Sequence, residues 1–306
     1  MRISSDQNKQ KHFLNFIFPS FLSSFIPFVL MTIIFSVCSV LKAQTGTITP
    51  KSFEYKVFMQ KDTFLVGELI DVGVNIINTS NVIQKSGYVY IKVFNEKGEG
   101  LRGNNSTGDL YSPEHIELKP NDETYRVQKL NFFFGDQHSA MSQGFLKEGT
   151  YIIKVSFFSP VDKHSFRVER VIKVIKPEGE EAMVYNSYVS ICKRKPYDPK
   201  QTVVDLEALV EAHPNSIYAP MLLCDIRNTY GIILNDQKNY SKINRKLAEK
   251  YAWSSEAQYE LSGSSLEKTL PNSQERIIYL KSLLPLTKNS PMQKLLEMKL
   301  KEEMDK

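Results

Sequence analysis

The spacing of apolar residues changes character once along this chain, at Pro177-Glu178-Gly179-Glu180. Before that point apolar and polar residues alternate singly; after it, residues that favour helices take over. Strand side chains point to alternate faces, whereas helix side chains return to one face every three or four residues. The chain is therefore expected to place strands first and helices second. Ile70, Val72, Val74 and Ile76 alternate with Asp71, Gly73 and Asn75. Val89, Ile91 and Val93 alternate with Tyr90 and Lys92, and Tyr151, Ile153, Val155 and Phe157 with Ile152, Lys154 and Ser156. Each set reads as a strand with one buried face. Residues 53–59, 125–134 and 166–174 are further expected strands. Turn signals separate them at Asn78-Thr79-Ser80-Asn81, Glu96-Lys97-Gly98-Glu99-Gly100, Pro120-Asn121-Asp122 and Glu148-Gly149. Short strands with such turns and no helical period predict an antiparallel sandwich over 50–176.

Beyond the linker and a first helix at 177–199, a pattern recurs in 200–306. The segments 209–216, 247–254 and 283–290 each begin with Leu and end with Ser, and the serines stand 38 and then 36 residues apart. Helix–turn–helix repeats commonly run ~34 residues per unit. In each segment a helix is expected to end, and Ser216, Ser254 or Ser290 to cap the next by accepting a bond from a free backbone N–H. Ala219 and Ala257 are small residues suited to close helix contacts; the third unit has Gln293 in that place. An ordinary small helical bundle is the other reading. The last run, from Met292, sets apolar residues among charges in rough helical period.

The first residues carry Arg2, Lys9 and Lys11 against Asp6, followed by an apolar stretch to Leu41 and then Lys42-Ala43-Gln44. A basic start, an apolar core and a small residue at its end form the pattern of a secretory signal peptide, cut after Ala43. An uncleaved anchor is the rival reading, since ~20 apolar residues span a bilayer. Lipid attachment at Cys38 fits less well, because the branched Val37 precedes it. Cleaved or anchored, 1–43 sends the rest of the chain out of the cytoplasm, to a bacterial periplasm, cell surface or medium. The whole chain is +5 and this leader supplies +3, leaving the remainder near neutral. Nucleic-acid binding calls for a concentrated basic face, and Lys193-Arg194-Lys195 is the one tight basic run, so nucleic acid is not expected as a partner. Cys192 and Cys224 remain after the leader; in an oxidising compartment they could pair, or stand as two buried thiols.

Three resemblances follow from these residues. Leu146-Lys147-Glu148-Gly149-Thr150-Tyr151 resembles the approach to a late strand of immunoglobulin-like domains, where a Gly turns and a Tyr hydroxyl reaches back to the backbone. Residues 63–78, opening Thr63-Phe64-Leu65-Val66-Gly67-Glu68, resemble the start of bacterial immunoglobulin-like modules and, over that strand pair, the intracellular proteinase inhibitor family. Glu211-Ala212-His213-Pro214-Asn215-Ser216-Ile217-Tyr218-Ala219-Pro220 is similar to bacterial tetratricopeptide-like repeats. The fold these resemblances imply is multidomain: an all-β immunoglobulin-like antiparallel sandwich followed by an all-α helical-hairpin, tetratricopeptide-like domain.

No catalytic constellation is legible. The histidines, His12, His115, His138, His164 and His213, show no His-x-x-x-His spacing. Neither a Gly-x-Ser-x-Gly elbow nor a phosphate-binding loop occurs, and no metal or cofactor is expected. The polar, glycine-rich stretches 98–115 and 135–144 are the expected ligand-binding loops, with Tyr111, His115 and His138 as candidate residues. The expectation is a non-catalytic binding or scaffold protein of the cell envelope that engages a protein or peptide. Glycan binding through those loops is an alternative, as is a hydrolase with dispersed residues.

Overall fold

The first alternating segment forms β1 (Phe53–Met59), which buries Phe53 and Val57 and turns Glu54, Lys56 and Phe58 outward. The computed structural model describes residues 52–101, 116–130, 145–159 and 164–306, and residues 52–306 form one compact unit. The leader, together with Tyr111, His115 and His138, lies outside the described residues.

After β1 come β2 (Thr63–Leu65), β3 (Asp71–Asn78), β4 (Gln84–Lys85), β5 (Tyr88–Asn95), β6 (Glu117–Leu118), β7 (Glu123–Lys129), β8 (Gly149–Ser159) and β9 (His164–Ile175). One sheet has the order β1-β3-β7 and is antiparallel throughout. A second has the order β2-β9-β8-β5; it is antiparallel except where β2 runs parallel to β9. β4 and β6 form a separate ribbon. The two larger sheets share one core. Phe53, Val57, Val72, Val74 and Ile76 from the first meet Ile91, Val93, Ile153, Val155, Phe157, Ile172 and Val174 from the second. Each such side chain contributes about 1.5–3 kcal/mol through burial. Tyr151 opens the long run of β8 and its hydroxyl donates to the Lys147 carbonyl at 2.9 Å, the backward reach expected of it.

The alternation in β3 predicts one buried face, yet residues 71–76 are buried on both. The second face is covered by the helices that follow. These are α1 (Gly179–Lys193), α2 (Pro199–Ala212), α3 (Ala219–Asn228), α4 (Gln237–Tyr251), α5 (Gly263–Thr269), α6 (Ser273–Leu283) and α7 (Pro291–Met304). A π-helical turn, Thr229–Ile233, extends α3, and 3-10 turns occupy Ser255–Tyr259 and Leu284–Thr287. Local chemistry sets the boundaries. Asp198 accepts from the Lys200 and Gln201 amides ahead of α2, with Pro199 at its first position, and Asp236 and Asn272 do the same for α4 and α6. No helix of the described residues is long and apolar enough to cross a membrane.

The recurring sequence segments fold into one repeated turn. The Ser216 amide donates to the His213 carbonyl and the Ser216 carbonyl accepts from Ala219; Tyr251, Ser254 and Ala257 repeat this, as do Thr287, Ser290 and Gln293. The amide one residue past the first two serines meets a carboxylate from elsewhere in the chain. Glu181 of α1 accepts from Ile217 N and Ser216 Oγ, and Asp71 of β3 accepts from Ser255 N and Oγ. In the third turn that residue is Pro291, which has no N–H to satisfy. The capping expectation holds for Ser254 alone, whose Oγ accepts from the Glu256 amide ahead of a 3-10 turn. Ser216 Oγ accepts from the Tyr218 amide, but Tyr218 itself stands at the start of α3 and no side chain caps that helix; Ser290 precedes α7, but its Oγ donates to the Thr287 carbonyl at 2.7 Å.

Two further cores hold the helices, and both include the strand region. Leu69 and Phe145 join the core of α1 to α4. Tyr125 and Val127 of β7 join that of α4 to α7 through Ala248, Leu280, Met292 and Leu296. Cys192 on α1 and Cys224 on α3 are two buried thiols with no disulfide between them, and burial pushes the Cys224 thiol up to about 12.

Candidate functional site

Where α7 begins, it crosses the outward face of the first sheet and leaves a cleft of about 340 Å³. Small-molecule sites start near this size, at roughly 300 Å³, so it has room for one or two side chains. Phe58 and Met59 of β1, Tyr125 of β7 and Pro291 of α7 give it an apolar floor; Asn289, Ser290, Gln293, Lys294 and Glu297 form the rim. Phe58 keeps 46% of its surface exposed. Its ring meets the edge of Tyr125 at 6.2 Å between centroids.

The parts of this cleft are held from several directions. The Tyr125 hydroxyl donates to the Pro291 carbonyl at 2.8 Å, joining β7 to the start of α7. Tyr125 can lie across β3 because Gly73 has no side chain: a Cβ there would fall 1.9 Å from the hydroxyl oxygen. Asn289 turns with a φ of 62°, and its amide donates to Gln293 Oε1 at 3.1 Å. Lys294 pairs with Glu123, which also accepts from Asn75 Nδ2 at 2.9 Å. Burial works to raise the Glu123 carboxyl, but the bonds from Lys294 and Asn75 outweigh it and hold the group low. The lining includes neither cysteine nor histidine. Its chemistry is apolar contact framed by polar groups.

Beside the cleft, buried polar groups fasten the sheet to the helices. Glu256 receives Lys129 from the end of β7 and Arg227 from α3, the latter at 3.0 Å. Burial would raise Glu256, yet these two cations keep it below its ordinary value. Gln258 Nε2 donates to the Val127 carbonyl at 3.2 Å. Tyr218 donates to the Val66 carbonyl at 2.7 Å.

Two carboxyls in this region behave oppositely to Glu256. Burial pushes Asp71 up to about 6, against its bonds from Ser255. Burial pushes Asp225 up to about 7; Tyr188 donates to its Oδ2 at 2.6 Å while its Oδ1 receives no bond. The folded chain therefore holds these protons more tightly than the unfolded chain. Their contribution to stability is present below the ordinary carboxyl value of 3.8 and is lost as pH rises through about 6 to 7. Glu256 and Glu123 oppose this on the acid side, where protonation removes their ion pairs. The unfolding temperature is expected to be higher near pH ~5 than near pH ~8, and Asp225→Asn should flatten that difference. Thermal scans across pH check this; a midpoint rising steadily to the alkaline end contradicts it.

The sequence did not point to this cleft. Two signals for it were present: an apolar Phe58 in the outward phase of β1, and a glycine inside the alternating run of β3, where glycine marks a close approach. His213, read as part of the first repeat turn, lies 2.7 Å from Glu180.

No family model matches the sequence, and no curated protein matches it at a significant level. Among solved structures, a β-glucosidase from Listeria innocua in complex with isofagomine is similar at 17% identity and a TM-score of 0.27, over 40% of this chain and 16% of that one. The CARDB domain of the PF1109 protein from Pyrococcus furiosus, in complex with di-metal ions, is similar at 13% identity and a TM-score of 0.26, over 42% of this chain and 100% of that one. The C-terminal domain of wzt is similar at 14% identity and a TM-score of 0.26, over 42% of this chain and 75% of that one. At these TM-scores the likenesses carry no functional argument.

Proposed function

We propose that this chain is an extracytoplasmic, non-catalytic binding protein, and that the cleft between β1, β7 and α7 receives an apolar segment of a protein or peptide partner. The observation that carries this is the half-exposed Phe58 ring over an apolar floor with a polar rim, the arrangement found at the centres of interfaces. β1 adds to it: among the described residues it pairs only with β3, so an extended segment seated on Phe58 and Met59 could continue along its other edge. The strand region is read as an immunoglobulin-like sandwich, supported by the two strand orders and the Tyr151 hydroxyl bond. The helices are read as degenerate tetratricopeptide-like hairpins, supported by the three matching turns. The export reading rests on the leader sequence.

The test is a selection from a display library of short peptides against residues 52–306. Selected peptides are expected to be apolar or aromatic at alternate positions and to bind Phe58→Asp at least ~10-fold more weakly, since a central apolar contact dominates such affinities. Phe58→Asp should leave the unfolding temperature nearly unchanged, because the ring is already half in solvent. Equal binding by Phe58→Asp would place the site elsewhere.

A further inference from the structure

The second sheet offers an interaction surface on the side away from its core. The inward residues of β5, β8 and β9 include Ile91, Val93, Ile153, Val155, Ile172 and Val174. By strand alternation their neighbours face out. The register sets Lys92 beside Lys154 and Lys154 beside Glu169; it sets Phe94 beside Ile152 and Ile152 beside Val171; Arg167 and Lys173 lie opposite Ser156 and Thr150. Among the described residues Lys92, Lys154, Arg167 and Lys173 thus share a face with Glu169 and with Glu96, whose Oε1 accepts from the Thr150 amide; Phe94, Ile152 and Val171 form the row between that of Lys92, Lys154 and Glu169 and that of Thr150 and Lys173. Val171 is 59% exposed and Phe158, at the end of the face, 38%. The chain beyond its leader is nearly neutral as a whole, so this positive charge is concentrated locally.

We propose that this face docks on an anionic membrane surface. Three observations select that partner. The face is a sheet and not a groove, which suits a flat surface. Its cations lie beside the exposed Val171, the pairing that lets basic groups meet lipid headgroups while an apolar group enters just below them. The Phe94 ring is covered by Lys154 Nζ, 4.7 Å from its centroid, so this ring is occupied where a sugar or a base would need to stack. Glu169 sits between Lys154 at 3.1 Å and Arg167 at 4.0 Å; it orders the two cations and leaves the net charge positive. The face lies on the opposite sheet from the cleft, so its failure and that of the proposed peptide site are read separately.

The experiment is co-sedimentation of residues 52–306 with vesicles of phosphatidylglycerol and phosphatidylcholine in equal parts, and with phosphatidylcholine alone. Binding is expected to the first and not the second, and to weaken as salt is added. Arg167→Glu combined with Lys173→Glu should lower the partition coefficient at least ~10-fold, given the attraction of each basic residue for anionic lipid. Lys92→Glu, on a different strand, should lower it severalfold and guards against a fold defect in the double variant. Val171→Ser should weaken binding without changing its salt dependence. Equal sedimentation by the charge-reversed variants overturns the proposal. So does capture by heparin or single-stranded DNA without any binding to the anionic vesicles.

Discussion

Replacing Glu256 by alanine is expected to destabilise the protein by about 3–5 kcal/mol, the range for removing one partner of a buried ion pair. Glu256 is 4% exposed, and the Lys129 and Arg227 side chains that meet it are largely covered as well. Alanine removes the carboxylate that both cations meet, in a largely covered setting where they are poorly hydrated. The unfolding midpoint should fall by roughly 10 °C for a unit of this size. By contrast, the pair between Glu54 and Lys56 is about half exposed at both ends, and Glu54→Ala should change stability by less than about 1 kcal/mol. If uncompensated charge causes the Glu256 effect, exchanging all three charged groups for apolar residues of similar volume, Glu256→Leu with Lys129→Met and Arg227→Met, should restore most of the loss. A Glu256→Ala loss as small as that of Glu54→Ala would mean that water reaches Lys129 and Arg227. Because Lys129 belongs to β7 and Arg227 to α3, the same variant should loosen the sheet from the helices, which hydrogen exchange at β7 would report.

How far the sequence disclosed this fold follows from the range of each interaction. β1 coincides with its expected span because strand alternation is a local signal. The turn after α2, its repeats, and the Tyr151 bond were legible for the same reason: each closes within a few residues. The return of the helices onto β3 was not, since Asp71, Gly73 and Asn75 look like the solvent side of a half-buried strand. Asp71 instead receives Ser255 and Asn75 binds Glu123; partners so distant in sequence leave no periodic trace. The cleft was missed for that reason too. Its walls come from β1, β7 and α7, and it exists only once α7 has packed. The cations of the second sheet were likewise visible one by one, but not as a face, until the strand register set them side by side. The loop residues Tyr111, His115 and His138 were chosen on composition, and they lie outside the described residues.

Gly73→Ala is the second substitution with a large expected effect, and it connects stability to the cleft. The added Cβ would lie 1.9 Å from the Tyr125 hydroxyl oxygen and 2.7 Å from its ring carbon Cζ. An exposed tyrosine would swing aside at little cost. Tyr125 is 5% exposed, and its hydroxyl is committed to Pro291. Moving it forfeits that buried hydrogen bond, worth ~1 kcal/mol, and overpacks the space between β3 and α7 at about 1–3 kcal/mol. A total near 3 kcal/mol is expected from chemical denaturation. The cause can be isolated, because Tyr125→Leu removes both the clash and the bond. In that background Gly73→Ala should be neutral or stabilising by up to ~1 kcal/mol, since alanine suits a strand interior better than glycine. Persistence of the full Gly73→Ala penalty beside Leu at 125 would locate the strain in the backbone and not in the ring. Gly73→Ala should also weaken the peptides selected on the cleft, because Tyr125 forms part of its floor and supports the exposed edge of Phe58. One missing methyl group on the covered face of β3 thus sets both the seating of α7 and the shape of the surface offered to a partner.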